Sequence, residues 1–159
     1  MRLLLISNIF PPDFLGGYEL LAEQVARHLA ERHEVHVLAA KLSDDSPQKF
    51  RSDDSSLIVE RLLELEVPFP EPFHPDRRRR KIITSKNEKV TAEVIHRVNP
   101  DVIFYWSQLR LTVGPMRAGM QSGKTRAFTF NDENMRGFVP VPPELSALVK
   151  LRRWFLDGL

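Results

Sequence analysis

Cysteine is absent from the sequence. That excludes a disulfide framework, a thiol nucleophile and a cysteine-based zinc site, and a cytoplasmic location is expected. No apolar run approaches the roughly 20 residues that span a bilayer. The opening Met1–Ile6 is rich in leucine, but Ser7 and Asn8 break it and Pro11-Pro12 end it. No small-residue cleavage site follows, so it reads as a buried strand and not as a signal peptide. Excess charge of one sign is small, at net +2, which argues against nucleic acid as a partner. There is no internal repeat and no G-x-G-x-x-G, so a dinucleotide site has little support. What remains is 159 residues, 42% hydrophobic, enough for one domain with a true core.

Hydrophobic periodicity orders the chain. Arg2 to Ser7 reads as a fully buried strand. Asn8 to Gly17 carries Pro11, Pro12, Gly16 and Gly17 and reads as a loop. A helix is predicted from Tyr18. Leu21, Val25 and Leu29 recur every four residues beside Ala22, Ala26 and Ala30, with Glu19, Glu23, Arg27 and Glu31 on the wet face. His33 to Ala39 is a second strand, completing a βαβ unit of a parallel sheet. Further strands are expected at Leu57 to Glu60 or slightly beyond, Asp101 to Trp106 and Arg126 to Phe130. Helices are expected at Thr84 to Val98, Leu109 to Gln121 and Leu145 to Leu156. Ser43 to Ser56 reads as an exposed loop. Val67 to Arg80, with four prolines, reads as an excursion from the sheet. The fold class is α/β, a Rossmann-like three-layer sandwich with a mainly parallel sheet.

In such a sheet, ligands bind beyond the carboxyl ends of the strands, where strand order reverses. Gly16 and Gly17 lie just before the first helix, where free N–H groups and the helix dipole favour an anion. Without side chains they let a ligand approach the backbone. A plain tight turn is the alternative. His33 and His36 flank a strand and are expected to be structural or exposed.

Blocks along the chain resemble family 4 (group 1) glycosyltransferases. They are Ile6-Ser7-Asn8-Ile9-Phe10-Pro11-Pro12, Gly16-Gly17-Tyr18-Glu19-Leu20, Arg32-His33-Glu34-Val35-His36-Val37 and Asn99-Pro100-Asp101-Val102-Ile103. The resemblance implies the N-terminal half of a GT-B fold, in which two Rossmann-like domains face a cleft. It implies a nucleotide-diphosphate sugar as donor substrate, no tightly bound cofactor or metal, and a sugar or lipid-linked acceptor held mainly by this half. Gly16 and Gly17 would face the donor phosphates, stabilising charge on the leaving diphosphate. The donor-binding C-terminal domain is expected to lie outside this chain, which alone would be inactive and prone to self-association.

Many relatives place a histidine after the fourth strand; here the stretch reads Phe104-Tyr105-Trp106-Ser107-Gln108. Trp106 can stack on a sugar face, or it packs in the core. Ser107 and Gln108 can hydrogen-bond acceptor hydroxyls, or they are solvated. Asn131-Asp132-Glu133-Asn134 follows the fifth strand. Asn131 is a candidate substrate contact, and Asp132 or Glu133 a candidate base for the acceptor hydroxyl. A helix cap or solvated loop is the competing reading. The block Arg77, Arg78, Arg79, Arg80 and Lys81 is either a solvated loop or a patch for anionic lipid headgroups at the inner face of the membrane. The alternative to a transferase half is a non-catalytic module holding a sugar, phosphate or protein partner.

Overall fold

A computed structural model describes residues 1–42, 49–51, 57–72, 74 and 76–129. The described elements are β1 (Arg2–Ile6), α1 (Gly17–Ala30), β2 (Glu34–Ala40), β3 (Lys49–Arg51), β4 (Leu57–Leu63), α2 (Arg77–Val98), β5 (Val102–Tyr105), α3 (Gly114–Gln121) and β6 (Thr125–Phe128). The six strands run in the order β3-β4-β2-β1-β5-β6. All neighbours are parallel except β3, which runs antiparallel to β4. The arrangement is the expected Rossmann-like α/β sandwich.

β1 is central, with Leu4 in register with His36 of β2 and Ile103 of β5. A parallel strand covered on both faces must be apolar throughout, which is why Leu3 to Ile6 form an unbroken run. Alternation divides its side chains. Leu3 and Leu5 join Val35, Val37, Leu57 and Val59 in a layer under α1, while Leu4 and Ile6 join Ile103, Val94 and Met116 in a layer under α2 and α3.

Four expectations are revised. In α1 the buried stripe is Ala22, Ala26 and Ala30, and Leu21 is 44% exposed. The small alanines let the helix lie close on the sheet, which turns the bulkier leucine outward. Glu19, expected on the wet face, is buried and serves the helix start. Lys49–Arg51, inside a stretch read as loop, is strand β3. Finally, the arginine block is helical. Asp76 caps α2, its Oδ1 accepting from the N–H groups of Arg78 (2.8 Å) and Arg79 (3.4 Å), so the helix begins seven residues before Thr84. Of the two readings of His36 the structural one holds: it is buried within β2, with Nε2 2.8 Å from Glu34 Oε1.

α2 is fixed to the sheet by polar contacts as well as packing. Arg97 Nη2 lies 2.6 Å from Glu60 Oε2 on β4. The fully buried Asn87 donates to the carbonyls of Glu64 and Leu111 and accepts from the Glu64 N–H, so its amide is satisfied on both ends. This anchors the segments after β4 and β5 to one helix turn. The segment after β5 holds Arg110 and Thr112 at φ 66, a region uncommon for residues with a side chain. Arg110 offsets that cost by donating to the carbonyls of Val67, Pro68 and Glu71 and lying 4.0 Å over the Phe69 ring.

Candidate functional site

The sheet order reverses at β1. Its successor β2 lies on one side, and β5, reached through α2, lies on the other. The carboxyl ends of β1 and β5 therefore flank the crevice where this fold places ligands. Main-chain bonds close its floor: Trp106 N–H to the Ile6 carbonyl (2.9 Å) and Asn8 N–H to the Ser107 carbonyl (2.8 Å).

Gly16 and Gly17 stand at the entry to α1, on one wall of this crevice. Gly16 is the extended N-cap residue and Gly17 the first helical residue. A Cβ built on either would meet nothing within 4 Å. Among the described residues, packing therefore does not require the glycines, and the space before them is open. Glu19 Oε2 accepts from the Gly16 N–H (3.0 Å) and the Leu15 N–H (3.3 Å). This carboxylate orders the turn and complements the helix dipole. The next N–H groups of the first turn have no partner inside the helix by construction.

Trp106 is 4% exposed. Its indole Nε1–H donates to the Tyr18 carbonyl (3.2 Å), and Tyr18 and Phe104 cover its ring at centroid distances of 5.3 and 5.7 Å. A sugar face needs an open ring, so of the two readings of Trp106 this geometry is that of packing. Ser107 is half-buried and supplies its carbonyl to the floor. Gln108 is 2% exposed, so it is not the solvated loop residue weighed above. Its Nε2 donates to the carbonyls of Ile6 and Ser107, both at 3.1 Å, and its Oε1 has no hydrogen-bond partner among the described residues. Asn131, Asp132 and Glu133, with the helix expected at Leu145 to Leu156, lie outside the described residues.

Two residues at the crevice were not singled out in the sequence. Tyr18 is half-buried above Trp106, and its hydroxyl is hydrogen-bonded to Thr129 Oγ1 at 3.0 Å, so it links the start of α1 to the end of β6. Arg61 is buried at the end of β4 beneath the β1–α1 loop. A basic residue alternating with Leu57 and Val59 in a β-prone run was the available signal for it.

The arginine block divides. Arg80 Nε lies 2.8 Å from Oε1 of the buried Glu66 and belongs to the fold. Arg77, Arg78, Arg79 and Lys81 are exposed on the first turns of α2, behind the Asp76 cap, and the first turn itself holds no acidic residue. Among the described residues no helix is long and apolar enough to cross a membrane.

No protein-family model and no curated protein matches this chain. Among solved structures it is similar to a sucrose-phosphate synthase from Thermosynechococcus elongatus, with TM-score 0.60 and 15% identity over 91% of this chain and 36% of that one. It is also similar to a second sucrose-phosphate synthase chain from the same organism, with TM-score 0.52 and 14% identity over 97% of this chain and 82% of that one. The chain thus spans 36% of the length of the first of these structures. What is shared is the fold: a Rossmann-like α/β architecture.

Proposed function

We propose that this chain is the acceptor-side, N-terminal domain of a nucleotide-sugar-dependent glycosyltransferase that transfers a sugar when joined to its donor-binding domain. The observation that carries the reading is the open space before Gly16 and Gly17 at the switch point of the sheet. A diphosphate approaching there meets backbone N–H groups and the positive end of α1. Charge grows on the diphosphate as the sugar departs, so donors fixed in advance lower the barrier to transfer. The likeness in fold to two sucrose-phosphate synthase chains agrees with a transferase architecture. The sequence blocks that resemble family 4 enzymes lie on the same loop and helix.

In this reading the acceptor hydroxyl enters from the β5 and β6 side and Asp132 or Glu133 takes its proton. A lipid-linked acceptor would bring anionic headgroups near the domain, and the exposed Arg77, Arg78, Arg79 and Lys81 supply the opposite charge for a peripheral contact at the cytoplasmic face.

The deciding experiment is calorimetric titration of the folded chain with UDP-, GDP- and ADP-sugars, paired with transfer assays on the chain joined to a donor-binding domain. Transfer by the joined protein without tight donor binding by the chain alone is the expected result. Tight, saturable binding of one donor by the chain alone would replace the half-enzyme reading with a self-contained module.

A further inference from the structure

Strand β4 presents Leu57, Val59 and Arg61 to one face by alternation. The first two are core residues under α1. The third carries a guanidinium into the same layer and is 2% exposed. Burial pushes that guanidinium down from its ordinary value, and the Asp13 carboxylate pushes it back up. A packed apolar side chain of similar volume would serve stability as well or better than a buried ion pair. What the pair adds is geometry.

The β1–α1 loop is held at its helical end by Glu19, whose carboxylate takes the Leu15 and Gly16 N–H groups. Pro11 and Pro12 bring no N–H, and within the loop the Asp13 N–H reaches the Phe10 carbonyl at 3.2 Å. Arg61 supplies donors from outside: its Nη2 donates to the Phe10 carbonyl (2.9 Å) and to the Pro11 carbonyl. Its Nε lies 3.5 Å from Asp13 Oδ2, which also accepts from the Leu42 N–H just beyond β2 (3.1 Å). One buried pair therefore ties the carboxyl ends of β1, β2 and β4 together, three residues before Gly16.

We infer that Arg61 and Asp13 are positioning residues, which hold the β1–α1 loop in the shape that leaves the first turn of α1 open to a phosphate-bearing ligand. This rests on the phosphate reading of that turn given above. Neither residue touches the ligand; both act through the loop backbone.

The test is amide hydrogen exchange on the 159-residue chain, with Arg61→Met, Arg61→Lys and Asp13→Asn, combined with NMR titration of inorganic pyrophosphate at millimolar concentration. Asp13→Asn preserves volume and keeps a folded variant in hand where Arg61→Met unfolds. In Asp13→Asn and Arg61→Met, exchange at Asp13, Leu15, Gly16 and Leu42 is expected to rise about tenfold while β1 and β5 amides keep their protection. The pyrophosphate response of Gly17 and Tyr18 is expected to weaken by about the same factor, with partial rescue by Arg61→Lys. Unchanged exchange in the loop would overturn the inference and leave the phosphate reading standing. A loosened loop with an undiminished pyrophosphate response would also overturn it, reducing the pair to a structural tie. A wild-type chain that responds nowhere to pyrophosphate would sink the phosphate reading itself, and with it the ligand half of this assignment.

Discussion

Tyr18 lies tilted over Trp106, ring centroids 5.3 Å apart, and its carbonyl takes the indole N–H. The pair joins the first turn of α1 to the end of β5 across the crevice. Truncating Trp106 to alanine removes a buried ring from this junction and is expected to cost about 3–5 kcal/mol. Tyr18→Phe keeps the ring but loses the bond to Thr129, at about 1 kcal/mol or less. Both are read from denaturant midpoints. If Trp106→Phe instead raised the acceptor KM and left stability untouched, the indole would return to a sugar-binding role.

The glycine pair separates stability from transfer. Gly17 is helical and a Cβ there meets open space. Gly17→Ala is thus expected to hold or raise stability, by about 0.4–1 kcal/mol through the unfolded chain. In the joined enzyme, the added methyl occupies the approach of the diphosphate, so kcat/KM is expected to fall about tenfold or more. A stabilised variant with undiminished transfer would mean that the pair is only a turn.

Much of this frame was legible in the sequence, because β1 is an unbroken apolar run ended by turn residues, α1 carries a period of 3.6, and β2 is a β-prone run with a wholly apolar end. The failures have physical causes. Leu21 looks like core and Ala26 like filler, but close approach to the sheet rewards the smaller residue. Lys49–Arg51 is too short to declare itself and is a strand only through its pairing with Ile58 to Glu60, a long-range fact. The start of α2 was hidden by the prolines before it, although Asp76 was a visible cap. At the crevice, Gly16 and Gly17 were legible as a turn beside a helix start. The roles of Arg61, Tyr18 and Gln108 were not, because each depends on residues distant in the chain.

Close approach at α3 gives a further prediction. A Cβ on Gly119 would lie 1.9 Å from the Tyr105 hydroxyl oxygen, and one on Gly114 would lie 2.4 Å from the Thr84 carbonyl oxygen. Tyr105 is fully buried and its hydroxyl donates to the Pro115 carbonyl (3.1 Å), so it has little room to withdraw. Gly119→Ala and Gly114→Ala are each expected to destabilise by about 1–3 kcal/mol or more. Thermal melts of the two variants check this, and Gly123→Ala, which meets open space but sits at φ 68, separates crowding from backbone strain.

Surface charge on α2 is tested by lipid. Arg77, Arg78, Arg79 and Lys81 are exposed, whereas Arg80 is paired with Glu66. Replacing the four exposed residues by glutamine is expected to weaken binding to anionic vesicles by about 1 kcal/mol per residue at low salt, with no large effect on folding. Arg80→Gln is expected to do the opposite, lowering stability and leaving vesicle binding nearly intact. Sedimentation with phosphatidylserine vesicles at two salt concentrations reads the first; equal binding to neutral vesicles would remove headgroup charge as the cause.

Tyr105 sets a limit at high pH. Burial raises its hydroxyl well above the ordinary tyrosine value, against a smaller opposing pull from Arg126. In the unfolded chain the group ionises near pH 10, while in the folded chain it stays protonated. Its contribution is therefore complete below about pH 10 and is lost progressively as pH rises, because above that point the unfolded state binds fewer protons. The chain has two tyrosines, and Tyr18 is the more accessible. Phenolate absorbance from Tyr105, isolated by comparison with Tyr105→Phe, is expected to appear together with loss of the folded far-ultraviolet signal. Tyr105→Phe should flatten the alkaline fall in stability, at a cost near neutrality of about 1 kcal/mol for the bond to Pro115. Tyr105 phenolate appearing in a chain that stays folded would show that its hydroxyl is not held protonated by its surroundings.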